Sequence, residues 1–298
     1  MRAVLLCSLL LATALCTLLL ATACNTGREV LREAGDARGL TSTVALKVVT
    51  FNVQDLFVAS DREQRMRAIG RALGRLRPDL VGLQEAFDAT HREELKAELE
   101  RVSGATYESV YFPSGVMGSG LCVLTPHKIE RAVFWRYSQN GAWYQYKHGD
   151  FYAGKGAAMV RIAVEGGGAV DCFNTHCIAS YPGASYRADR TVQLQELVAF
   201  VDAEATTSAP AILLGDLNAR VDSPEYAPLS TSFDNLTVRL NPEAVGRIDH
   251  ILVRPHPSYV VRARDYAELS IGLDDDGEEL VLSDHDGVVI TLELQPSR

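Results

Sequence analysis

Apolar residues recur along this chain in two registers. Short, almost wholly apolar runs at 48–52, 80–84, 120–124, 157–164, 170–175, 211–215, 247–253 and 287–294 read as strands buried on both faces. Between them, Met66, Ile69, Leu73 and Leu76 repeat at helical spacing, and Pro78 closes the segment. Leu95, Leu99 and Val102 share one face behind the capping-box pair Thr90 and Glu93, and a third helix is predicted over 186–202. No internal repeat of fixed short period is present. The alternation predicts one α/β domain over 45–298, with sheets covered by helices.

The first residues follow a different pattern. Arg2 precedes an apolar stretch, 4–20, interrupted by Ser8, Thr13 and Thr17 and ending in Ala21-Thr22-Ala23-Cys24. A charged start, an apolar middle and a small-residue site predict a signal sequence over 1–23 and export of the chain. Cys24 after small residues resembles a bacterial lipobox, although Ala21 stands where leucine is more usual. Lipidation of Cys24, plain cleavage and an uncleaved anchor are the three readings, since about 20 apolar residues can span a bilayer. The polar stretch 24–44, with Gly27, Gly35 and Gly39, reads as a tether. Beyond Cys24 the cysteines are Cys122, Cys172 and Cys177. Cys172 and Cys177 lie too far apart on one extended strand to bridge, which leaves a bridge from Cys122 or buried free thiols.

Composition narrows the function classes. The 298 residues are 47% hydrophobic and 22% charged, which excludes a mostly disordered chain, and 23 Gly with 11 Pro exclude a collagen-like one. A net charge of −9 argues against a general nucleic-acid binder, though not against a local basic patch.

The predicted strands end alike: an apolar run meets carboxylates, amides or histidines. The endings are Asn52, Glu85, Asn174 with His176, Asp216 with Asn218, Asp249 with His250, and Asp284 with His285. Alone, each is an ordinary turn, cap or core residue. Arriving together at strand ends, where α/β folds gather ligands, they predict one site.

The set QE, NTH, GDLN and SDH, in this order and spacing, resembles the endonuclease/exonuclease/phosphatase superfamily, which includes DNase I-like nucleases, inositol-phosphate phosphatases and neutral sphingomyelinases. The resemblance spans about 46–294 and implies a DNase I-like four-layer α/β sandwich, two central sheets flanked by helices, with a divalent cation, usually Mg²⁺. Carried over, it makes Glu85 the principal metal carboxylate with Asn52 beside it. It makes His285 the base on the attacking water, oriented by Asp284, with Asp249 in support, and leaves Asp216 as the alternative base. It makes Asp216 and Asn218 the pair that positions nucleophile and phosphoryl oxygen, and His176 a donor to the phosphate, with Asn174 on the same strand face.

Two segments, 118–129 and 154–162, resemble the sphingomyelinase branch, in which Lys155 matches a lysine near the site. The cluster Phe134, Trp135, Tyr137, Trp143, Tyr144, Tyr146, Phe151 and Tyr152 suits a membrane interface or a choline headgroup. It equally suits a hairpin packed on the sheet. The expectation is a monomeric Mg²⁺-dependent hydrolase of sphingomyelin or another phospholipid, working at a membrane surface. The alternatives are a secreted DNase I-like nuclease, opposed by the acidic run 274–279, and a non-catalytic surface lipoprotein. An intact residue set argues against the last.

Overall fold

Two sheets carry the chain in a computed structural model that describes residues 27–33, 38–145, 147–165 and 168–297. The signal sequence, Cys24 and Tyr146 lie outside the described residues. The first sheet runs in the order β1 (Gly27–Arg32), β6 (Lys128–Arg136), β7 (Gly156–Ala163), β8 (Ala169–His176), β9 (Ala211–Asp216), β11 (Asp249–Val253) and β10 (Asp234–Asn235). The second runs β12 (Tyr259–Leu269), β15 (Gly287–Pro296), β2 (Val44–Asn52), β3 (Leu80–Gln84), β5 (Cys122–Thr125) and β4 (Glu108–Tyr111). A small hairpin, β13 (Ile271–Leu273) with β14 (Glu279–Val281), leads from β12 into the segment before β15.

Strand alternation builds four layers. Val48, Leu80, Val160, Cys172, Leu214 and Ile290 point between the sheets into a shared core. Their neighbours Val49, Val81 and Leu83 point outward onto helices α1 (Arg62–Leu76) and α2 (Ala89–Ser103). On the other side, Val133, Met159, Phe173 and Leu213 meet Leu194, Leu197 and Val201 of α3 (Arg187–Glu204). This is the sandwich the sequence predicts. Close contact of α1 with α2 depends on Gly70 and Gly74, where an added Cβ would lie 2.3 Å from Leu95 O and 2.6 Å from Val102 Cβ.

Several elements differ from expectation. Helix α2 is capped by Asp88, whose Oδ1 accepts from Thr90 N at 2.9 Å and His91 N at 3.3 Å, so the cap lies two residues before Thr90. Part of the polar 24–44 stretch is not a tether: Gly27–Arg32 adds an edge strand to β6, with Arg28 and Arg131 both paired to Glu204. An edge strand facing solvent on one side has no apolar run to betray it. Cys122, Cys172 and Cys177 are buried free thiols.

The aromatic segment divides. Phe134 and Tyr137 are buried, and Trp135 stacks on Phe200 at a centroid distance of 6.4 Å, so these are packing residues. Trp143 and Tyr144 are 61% and 64% exposed. The acidic run is bound to its neighbours: Asp275 pairs with Arg67 at 2.7 Å and Arg71 at 2.9 Å.

Candidate active site

Strand register brings the polar endings to one edge of both sheets. Asn52 at the end of β2 stands opposite Gln84, and Glu85 follows. His176 at the end of β8 stands opposite Asp216 of β9, which stands opposite Asp249 of β11. Ser283, Asp284 and His285 arrive just before β15. Glu85 and Asn218 take left-handed backbone conformations, φ 57° and 49°, that turn the chain sharply out of the strand ends.

Asp216 is the hub. Its Oδ1 accepts from Asn218 N at 2.9 Å, and its Oδ2 accepts from Asn52 Nδ2 at 3.1 Å. The same Oδ2 lies 3.4 Å from His176 Nε2 and 3.9 Å from His285 Nε2. Asn218 donates its amide to Cys177 O at 3.0 Å, which leaves its side-chain oxygen available. Burial, with Asp249 nearby, pushes the Asp216 carboxyl well above the usual carboxylate range.

His285 is held by Asp249, not by Asp284. Its Nδ1 lies 2.8 Å from Asp249 Oδ2, whereas exposed Asp284 accepts from Ser283 Oγ at 3.3 Å. The side chains of consecutive loop residues diverge, and Asp249 reaches the ring from the adjoining sheet. Burial alone would lower the His285 pKa. The carboxylates of Asp249, Asp216 and Asp284 outweigh it and push the ring up to about 10.

On the opposite side, Lys155 Nζ lies within 2.8–2.9 Å of the His176 ring nitrogens and 3.1 Å from Asp150 Oδ1, all three residues being buried. Burial, then the Lys155 charge, holds His176 neutral. Asp150 was not legible in sequence, because it sits on a single helical turn, Asp150–Ala153, inside the aromatic segment.

Two predicted members fall outside the site. Asn174 shares its strand face with His176 but lies one step deeper between the sheets. It donates to Leu83 O at 3.0 Å and Cys122 O at 3.3 Å and accepts from Gln84 at 2.7 Å, which makes it an inter-sheet tie. His250 is buried behind Asp249, with Nε2 3.0 Å from Arg247 O, and burial lowers its pKa to about 4.

The donor chemistry fits a hard cation at Glu85. Its carboxylate is 17% exposed, its pKa is raised first by burial, and the paired nitrogen nearest to it, His176 Nε2, is 3.9 Å away. The Asn52 side chain hydrogen-bonds to it and the Lys155 charge acts on it from farther off, so among the described residues it has no full positive charge at contact distance. The Asn52 amide oxygen accepts from Gln54 N at 3.1 Å and keeps a second lone pair. Asp216, Asp249 and His285 also bring three ligand-capable atoms within 4.8 Å of one another. That trio is less suited, because the His285–Asp249 hydrogen bond already uses one nitrogen and one oxygen and the ring is protonated.

The model of the Endonuclease/Exonuclease/phosphatase family matches residues 49–285. A Drosophila melanogaster protein named for neutral sphingomyelinase is 33% identical over 273 residues, 84% of this chain. The match covers 61% of that relative, so the chain spans about three fifths of its length. Among solved structures, D. rerio TDP2 complexed with a single-strand DNA product superposes with a TM-score of 0.65 at 18% identity, over 83% of this chain and 98% of that one. Beta toxin from Staphylococcus aureus, with bound magnesium ions, gives 0.61 at 17% identity, over 86% of this chain and 100% of that one. At these identities the two structures establish a common fold.

Proposed function

Because this chain belongs to the endonuclease/exonuclease/phosphatase family, we propose that it is a Mg²⁺-dependent phosphodiesterase that cleaves sphingomyelin in the manner of a phospholipase C. One observation carries the catalytic reading: Glu85 and Asn52 from one sheet meet His176, Asp216 and Asp249-bound His285 within hydrogen-bond or ion-pair reach of one another. The substrate follows from the 33% identical relative named for neutral sphingomyelinase.

Glu85 and the Asn52 oxygen would hold the cation, which when bound supplies positive charge to the phosphoryl oxygens. The remaining work belongs to the chain. Asp249 fixes the protonated His285 ring through Nδ1, so Nε2 faces Asp216, and the Asp216 carboxylate accepts the proton of the attacking water. Asn218 N fixes the Asp216 carboxylate, and the free Asn218 oxygen orients that water. Neutral His176 donates to a phosphoryl oxygen, with the Lys155 ammonium adding a buried positive charge behind it. A bond forms from water oxygen to phosphorus, the bond from phosphorus to the ceramide oxygen breaks, and the leaving oxygen takes a proton from the Asp216–His285 couple, which the water's proton replaces.

A lipid surface fits the rim. Phe57 (65% exposed), Val58, Val116, Trp143 and Tyr144 occupy loops after β2, β4 and β6, at the same end as the site. We further propose export, with a lipid anchor on Cys24. Cys24→Ser should release the protein from the membrane fraction, and mass spectrometry showing an unmodified Cys24 would contradict the anchor.

The experiment is a substrate panel: sphingomyelin, phosphatidylcholine, inositol phosphates and plasmid DNA, with Mg²⁺ or EDTA. Mg²⁺-dependent release of phosphocholine from sphingomyelin is expected. Cleavage of DNA alone would replace the lipid reading with that of a nuclease.

A further inference from the structure

The two halves of the site are joined by a side chain that touches no reacting atom. Arg65, on α1, is buried and spreads its guanidinium over four backbone carbonyls. Nε donates to Ser60 O at 3.1 Å, Nη1 to Val53 O at 3.1 Å and Leu282 O at 3.0 Å, and Nη2 to Gln54 O at 2.8 Å. Val53 and Gln54 directly follow Asn52, and Leu282 directly precedes Ser283-Asp284-His285.

Asn52 is already fixed by the ladder of β2 with β3. The histidine segment before β15 is held mostly through side chains: Ser283 Oγ donates to Asn52 O at 2.7 Å and accepts from His285 N at 3.2 Å, Arg247 Nη2 donates to Asp286 O at 2.7 Å, the His285 ring meets Asp249, and Leu282 N donates to Ser270 O at 3.0 Å. Glu85 O accepts from Asp55 N at 3.1 Å, and Asp55 is anchored independently of Arg65 by Arg62 Nε at 2.8 Å, His91 Nδ1 at 2.7 Å and Asp88 N at 2.9 Å.

We infer that Arg65 is a positioning residue that locks the His285 segment onto the rigid end of β2 and so sets the His285–Asp216 separation. A lysine cannot replace it, because its ammonium ends short of the Nη positions and offers three donors to four carbonyls. The inference builds on the proposed phosphodiesterase reaction, but one of its readouts does not.

The test compares the wild-type chain with Arg65→Lys and Ser283→Ala. Hydrogen exchange at residues 282–286 should quicken in both variants, whatever reaction the site performs. On bis(p-nitrophenyl) phosphate, kcat should fall about tenfold to a hundredfold, since a displacement of about 1 Å has that effect. KM and the Mg²⁺ concentration for half-activation should stay within about twofold, because Glu85 keeps its own ties. Unchanged exchange and unchanged kcat in Arg65→Lys would overturn the inference. So would a lower melting temperature with kcat per folded molecule intact, which is what a merely structural role predicts. A wild-type chain inactive on every phosphodiester would sink the reaction, while the exchange result would still decide the clamp. Ser283→Ala keeps the test open should Arg65→Lys fold poorly.

Discussion

At the scale of single residues, position along a strand and depth between the sheets separate chemistry from scaffold. Glu85→Gln removes the charge that a hard cation needs, so activity should fall about a hundredfold or more and recover in part at high Mg²⁺, as a metal titration of the rate would show. Asn174→Leu should do the opposite. It strips hydrogen bonds from Leu83 O, Cys122 O and Gln84, so stability should drop by about 2 kcal/mol or more in denaturant unfolding, with activity per folded molecule close to wild type. His250 supplies a pH dependence. Its folded pKa of about 4 lies below the ordinary 6.5, so the unfolded chain binds the extra proton between these values. Its stabilising contribution is complete above about pH 6.5 and declines as pH falls toward about 4. The melting-temperature advantage of wild type over His250→Gln should therefore shrink across that window, and a constant difference would contradict buried neutrality. The motif order made the site's residue set legible. It could not show that Asp249, and not Asp284, holds His285, because that contact depends on how β11 and the segment before β15 approach each other.

Elements were legible in proportion to how fully they are buried. β3 and β9 lie inside the sandwich and show as apolar runs, whereas β1 and the half-exposed β12 carry mixed residues and gave no signal. The same rule divides the aromatic segment. Trp135 stacks on Phe200, so Trp135→Ala should lower stability by about 2–3 kcal/mol and reduce lipid and soluble-substrate activities alike once folding is allowed for. Trp143→Ala/Tyr144→Ala removes exposed rings at the rim. It should weaken vesicle binding by about tenfold and spare a soluble phosphodiester, as co-sedimentation and paired assays would show. Equal loss on both substrates would make Trp143 and Tyr144 structural too. The acidic hairpin is tied to α1 through Arg67 and Arg71, so part of its charge is already compensated and it weighs less against an anionic substrate than its sequence suggests.

At the scale of the whole molecule, a four-layer sandwich explains why residues as distant as Asn52 and His285 act together. Each sheet delivers part of the set, and the buried core between them fixes the separation. The fold class could be read from alternating strand and helix patterns together with the strand-end motifs. The depth of each polar residue could not, since it is set by how the two sheets face each other. The central claim is a cation-dependent phosphodiesterase centred on Glu85 and directed at sphingomyelin. Phosphocholine release from sphingomyelin vesicles, measured with Mg²⁺, with EDTA and with Glu85→Gln, tests it most directly. Release that requires Mg²⁺, stops in EDTA and falls about a hundredfold in Glu85→Gln is the expected result. Full release in EDTA, or robust cleavage of plasmid DNA with none of sphingomyelin, would contradict it.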